Sequence, residues 1–282
     1  MKRNFKIASL LTAAAVIGMA LFFNACTKDV VETPEPLVQS TFYSLGCELL
    51  PADEYAKIPV AKTPVVDIKA TVLNLNVPPV GNQGGEGSCV AFGTTYAGRS
   101  INWQATHPAA WSQSVNIFSP EYVYNQIKVR RSCSSGAYVI KGLDLLKLQG
   151  VCTWTSMPYT DVSCTLLPTT AQKTEAALYK ISGYSTATRT TAAIKSFLAA
   201  GKPVIVAGPV SSGFMYLTSG AVLTTFVGTS LGGHCYCVVG YDDDKGAFKF
   251  MNSWGTTWAT AGFGYIAYGY ETTWWTEAYV IN

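Results

Sequence analysis

The chain has 282 residues, 20 Lys and Arg against 17 Asp and Glu, and 49% of its residues are hydrophobic. That much apolar surface excludes an intrinsically disordered chain, and a net charge of +3 without a basic run argues against a nucleic-acid partner. With a targeting segment set aside, about 250 residues remain, enough for one large domain or two lobes sharing a core.

The first six residues, MKRNFK, carry Lys2, Arg3 and Lys6, and residues 7–23 then run without a charge. A positive start before an apolar run is the pattern of a secretory signal peptide, and the run falls short of the ~20 apolar residues of a permanent span. Phe23-Asn24-Ala25-Cys26 resembles a bacterial lipoprotein processing site, although Phe23 and Asn24 depart from its usual Leu-Ala/Ser pattern. Residues 1–26 are therefore expected to be a signal peptide of lipoprotein type, with Cys26 lipidated and the membrane contacted through that lipid. Residues 27–45 hold two prolines and several polar residues and are read as a tether. The expected location is the bacterial cell envelope, as an outer-membrane or surface lipoprotein, or else outside the cell.

In the body of the chain, Ser88 is a reasonable cap for a helix starting SCVAFGTTYAGRSINWQ. FSPEYVYNQIK (118–128) predicts a second helix, capped by Ser119 with Pro120 at its first position. YVIKGLDLLKLQG (138–150), with Leu143, Leu146 and Leu148 apolar, and TTAAIKSFLAAG (190–201) predict two more, each ended by glycine. After Lys202 come short apolar runs that read as strands: KPVIVAGPV, GAVLTTFVG, HCYCVVGY, AFKFMNSW and GFGYIAYGY. Helices first and strands afterwards predict an α+β protein, about 75–185 mainly helical and about 186–282 mainly β, with a cleft between the lobes.

Residues 81–92, GNQGGEGSCVAF, set Cys89 at the seam between a glycine-rich loop and a helix. The stretch lacks the Gly-Lys-Ser/Thr ending of a nucleotide loop and has no histidine beside it for a metal. A disulfide half, a buried thiol and a nucleophile stay open. A helix start favours a thiolate, and a catalytic thiol needs a histidine brought near by the fold. Of the two histidines, His107 sits before a proline in an expected exposed loop, and His234 opens a strand. A DDDKG turn after that strand brings Asn252 back beside His234, where its amide oxygen would orient the ring. With Cys26 and Cys89 set apart, Cys47, Cys133, Cys152, Cys164, Cys235 and Cys237 form an even set that suits disulfides in an exported protein, their pairing open. Cys235 and Cys237 share a strand face, but no second pair at metal-finger spacing exists, so no metal and no cofactor are expected.

Together these blocks resemble the papain-like cysteine peptidases. Gln83 stands six residues before Cys89, inside Gly87-Ser88-Cys89-Val90-Ala91-Phe92. Gly233-His234 opens a strand ending Val-Gly-Tyr, and Asn252-Ser253-Trp254-Gly255 precedes a glycine-rich strand, all in the family's order. The resemblance covers roughly residues 75–282. It implies a papain-like two-lobe fold over 46–282, with a helical lobe, an antiparallel barrel-like β lobe and the active-site cleft between them.

For the site, the resemblance implies Cys89 as nucleophile, His234 as base and then acid, and Asn252 as orienter. Gln83 would be an oxyanion donor, worth ~3 kcal/mol. Trp254 would shield the His234–Asn252 contact, and with Gly136, Tyr138 and Gly233 it would bind substrate. Two positions depart from the family. Glu86 replaces a cysteine that forms a disulfide, and Val90 replaces a tryptophan. With 56 residues between Cys26 and Gln83, no long inhibitory propeptide is expected. The implied activity is that of an exported, monomeric thiol endopeptidase acting on peptides. The alternatives are a papain-like surface binding or adhesion module without useful turnover, and another amidase or transpeptidase using the same triad.

Overall fold

A computed structural model describes residues 42–282, so the expected signal peptide, Cys26 and nearly all of the tether lie outside the described residues. The N-terminal part of the fold carries β1 (Cys47–Glu48), α1 (Ala52–Tyr55) and β2 (Val72–Asn74). A long helical segment follows, built from α2 (Cys89–Ala91), a π-helical stretch (Phe92–Arg99) and α3 (Ser100–Thr106). Next come α4 (Pro120–Ile127), β3 (Ala137–Tyr138), α5 (Val139–Leu148), α6 (Thr170–Ala176), β4 (Tyr184–Thr186) and α7 (Thr191–Ala199). The remainder is β5 (Val204–Ser211), α8 (Ser212–Met215), β6 (Val222–Leu223), β7 (Ser230–Asp242), β8 (Ala247–Met251), β9 (Phe263–Ala267), α9 (Glu271–Trp274) and β10 (Glu277–Ile281).

The helix starts follow their capping chemistry. The Ser119 hydroxyl accepts the Tyr122 N–H at 3.1 Å, with Pro120 in the first turn, and Thr190 accepts from Ala193. In α5, Leu143 and Leu146 are buried, whereas Leu148, expected on the apolar side, is 71% exposed at the last turn. The sequence reading passed over α6, which a Thr169/Gln172 capping box starts, and the strands β4 and β10. Of GAVLTTFVG, only Val222–Leu223 pairs as a strand.

The main sheet runs β4-β10-β5-β7-β8-β9-β6, with β2 added to β7. Its pairings are antiparallel except β6 with β9, and it is open, not a closed barrel. Strand alternation gives it two buried faces. Ile205, Ala207, Cys235, Cys237 and Val239 pack with the helices, while Val204, Val206, Tyr236 and Val238 pack with Phe214, Trp254, Trp258 and Trp274. The long helical segment lies close on the first face because two of its residues have no side chain. A Cβ on Gly93 would come 2.6 Å from the Cys235 sulfur, and one on Gly98 would come 2.7 Å from Ile205. Thr94 bonds back to the Val90 carbonyl at 2.7 Å within the same segment.

Cys133 and Cys164 form a disulfide, whereas Cys47, Cys152, Cys235 and Cys237 are buried free thiols. Each of these four is fully or almost fully removed from water, so it serves the core as a small apolar residue.

Candidate active site

Cys89 is the first residue of α2 and is fully buried. Burial pushes its thiol up to about 12, while the backbone amides of Cys235, Val90, Gly46 and Cys89 itself favour the thiolate and work against that rise. The Cys235 amide brings the neighbour of His234 onto the sulfur. His234 lies on β7, opposite Gly208 of β5.

The β7–β8 hairpin does what its turn predicted. Lys245 closes it on Asp242 through a 3.1 Å ion pair, and Asn252 follows directly after β8. The Asn252 Oδ1 sits 2.7 Å from His234 Nε2. Trp254 stacks on the imidazole with centroids 4.5 Å apart, and Phe214 meets it edge-on at 5.9 Å. This enclosure depresses the His234 pKa to about 4, and the Asn252 contact opposes the shift. His234 Nδ1 and Asn252 Nδ2 are buried without a hydrogen-bond partner. Thiol and imidazole are thus both held neutral. His107, in contrast, is exposed and stacks on Trp103 at 3.6 Å.

Gln83 is tied on three sides. Its Oε1 accepts the Ser253 hydroxyl at 2.6 Å, and its Nε2 donates to the Glu86 carbonyl at 2.9 Å and to the Ser44 carbonyl at 3.1 Å. Tyr159, in the Met157-Pro158-Tyr159 segment, donates to the Gln83 carbonyl at 2.8 Å and meets the Ser88 hydroxyl at 2.7 Å. Sequence reasoning missed both Ser253 and Tyr159 as supports of Gln83. The only signal was their adjacency to blocks already recognised.

A further finding concerns residues 43–49, which cross the site as a strap. Ser44 offers its carbonyl to Gln83 and also to the Trp254 indole N–H at 3.1 Å. Tyr43 stacks on Trp254 with centroids 4.8 Å apart. Gly46 donates to the Gly233 carbonyl at 3.4 Å and accepts from the Ala137 N–H at 2.9 Å, and β1 then runs parallel to β3. Gly136, Tyr138, Gly233 and Trp254, expected to hold substrate, therefore hold the chain's own backbone. The fit admits no side chain at Gly46, where a Cβ would stand 2.1 Å from the Gly87 carbonyl. The strap's sequence, YSLGCEL, carries no motif, so only the fold reveals it.

Glu86 is 1% exposed and lies near the Cys133–Cys164 bond. Burial, helped by the nearby Glu121 and Asp161 charges, raises its pKa to about 7. Val90 is simply core, fully buried.

Comparisons with known proteins bear on the family and the fold. The family model described as papain family cysteine protease matches residues 64–281. The chain is 30% identical over 191 residues to the KDEL-tailed cysteine endopeptidase CEP2 of Arabidopsis thaliana, covering 66% of this chain and 50% of that protein. It is 30% identical over 197 residues to the cathepsin B-like CP2 of Giardia intestinalis, covering 66% and 63%. A third relative, the gamete and mating-type specific protein A of Dictyostelium discoideum, is 28% identical, with 66% and 39% covered. The chain thus spans 39% to 63% of the length of these curated relatives. In fold it is similar to xylellain, a cysteine protease from Xylella fastidiosa, with a TM-score of 0.69, 22% identity and coverage of 86% and 96%. It is also similar to the Carica candamarcensis cysteine protease CMS1MS2 solved with E-64, with a TM-score of 0.59, 21% identity and coverage of 76% and 98%.

Proposed function

Since this chain belongs to the papain family of cysteine proteases, we propose that it is an exported thiol endopeptidase held latent by its own residues 43–49. The observation that carries the reading is that strap. A peptide backbone lies over Cys89, with one carbonyl on the Gln83 amide and backbone pairing to the Gly136 and Gly233 segments, which is how a cleft that takes peptides is filled.

In the open site, Cys89 loses its proton to His234 and attacks the peptide carbonyl carbon. The electron pair of the carbonyl moves onto oxygen, where the Gln83 side-chain N–H and the Cys89 backbone N–H stabilise it. His234 returns the proton to the departing amine, leaving an acyl-enzyme. Water, deprotonated by the same imidazole, then releases the acid and restores the thiol. Asn252 holds the ring in position through its 2.7 Å contact. Trp254 covers that contact from water.

Export, lipidation at Cys26 and attachment to the cell envelope are supported by the sequence of residues 1–26 alone. The partner is a peptide or protein substrate, and the enzyme works as a monomer over 46–282. Cleavage of a peptide library by Gly46→Val, which unseats the strap, tests the reading, with the wild type and Cys89→Ala/Gly46→Val as controls. More product from Gly46→Val than from the wild type, and none from the double variant, support it; equal product from Gly46→Val and the double variant overturns it.

A further inference from the structure

Glu86 has no task in the reaction above, yet it is buried beside the nucleophile loop. Its Oε1 has no hydrogen-bond partner, and its Oε2 reaches only the Tyr159 hydroxyl at 3.4 Å. A buried carboxylate oxygen left unpaired is costly, and it is the kind of group that a cation relieves. A carboxylate oxygen of Glu86 and the sulfurs of Cys133 and Cys164 all lie within 4.8 Å of one another. Among the described residues this is the one cluster of three such donors. Glu121 and Asp161 add negative potential at Glu86, against Lys128 on the other side. Cys133 is only partly buried, which leaves a way in from solvent.

We propose that this corner is a redox-gated site for a thiophilic divalent cation such as zinc, in which Cys133, Cys164 and Glu86 are the protein ligands. In the oxidised chain both sulfurs are occupied by each other, so the site is shut. A dithiol reductant opens it. Its two S–H groups supply two electrons and two protons, the Cys133–Cys164 bond breaks to two thiols, and the reductant closes to its own disulfide. The cation then displaces the two thiol protons to solvent and takes two thiolates and one carboxylate. The fourth position of a tetrahedral site is left for water. The disulfide staples the Cys133 and Cys164 segments to each other, and the metal would staple them also to the loop that carries Gln83 and Cys89. The Gly87 N–H, bonded to the Cys133 carbonyl at 2.9 Å, ties that loop to the site.

The test uses the full chain with Cys89→Ala, so that neither the reaction nor the nucleophilic thiol contributes. After anaerobic reduction and removal of the dithiol, cobalt(II) is titrated in and then displaced by zinc. One cobalt per chain with a thiolate-to-metal charge-transfer band is expected, and none in the oxidised chain, which keeps its other thiols. Glu86→Gln, which conserves shape, loosens the metal at least about tenfold. Cys133→Ser with Cys164→Ser removes the band. If that double variant fails to fold, the oxidised chain serves as the control. A reduced chain without the band, an equal band in the oxidised chain, or unchanged affinity in Glu86→Gln overturns the proposal.

Discussion

His234 carries a large pH lever at the site. Its pKa in the folded chain is depressed to about 4 by burial, against 6.5 when unfolded. The unfolded chain therefore takes up the proton first. The stabilisation is complete above about pH 6.5 and is lost as the pH falls through about 4, amounting to about 3 kcal/mol. Glu86, raised to about 7 by burial, works the other way over the same range, so the readout is the difference: as the pH falls from 7 to 4, the denaturant midpoint of His234→Gln is expected to rise relative to that of the wild type. Equal slopes for the two proteins would remove His234 as the cause. Other single residues are best judged in the chemistry. Once the strap is displaced, Gln83→Ala is expected to lower kcat by about 10²–10³, the usual effect of removing one oxyanion donor. Asn252→Ala frees the imidazole to rotate and is expected to cost at least about tenfold in kcat, with folding checked by circular dichroism.

Among the elements, the strap decides whether the thiol is reachable. Gly46→Val puts a side chain where the Gly87 carbonyl already stands, so the strap cannot keep its seat. The variant is expected to react with iodoacetamide at Cys89 at least about tenfold faster than the wild type at neutral pH, read by mass spectrometry. No change in rate would mean that the strap is not what shuts the site. The strap also marks where sequence reading stops. The His234–Asn252 pair was legible because a hairpin turn is local and fixes its own register. The helices at 120–127 and 191–199 were legible because capping residues announce them. The strap has neither aid, because its partners lie in the segments around Gln83, Ala137, Gly233 and Trp254, and a short extended stretch has no period to betray it. Strand β10 escaped for a related reason. EAYVI is buried along its whole length and shows no alternation between apolar and polar faces.

Across the whole molecule, the disulfide closes a loop between positions 31 residues apart. Closing such a loop constrains the unfolded chain by roughly 3–4 kcal/mol in the chain-entropy account. Urea unfolding of the oxidised and the reduced, metal-free chain is expected to differ by about that amount, and a difference near zero would show that the bond contributes little to stability. The α+β class was legible from the order of helices and strands. The openness of the sheet was not, because closure depends on the pairing of its edge strands, which no local pattern specifies.

One consequence of the sheet order concerns time. Strand β10 lies between β4 and β5, so the segment 277–281 must arrive before these two neighbours have a common partner. Translation makes that segment after Cys89, His234 and Asn252. The groups of the candidate site therefore exist before β10, and the sheet that carries them is complete only once β10 slots in. Such long-range pairing also makes for slow folding.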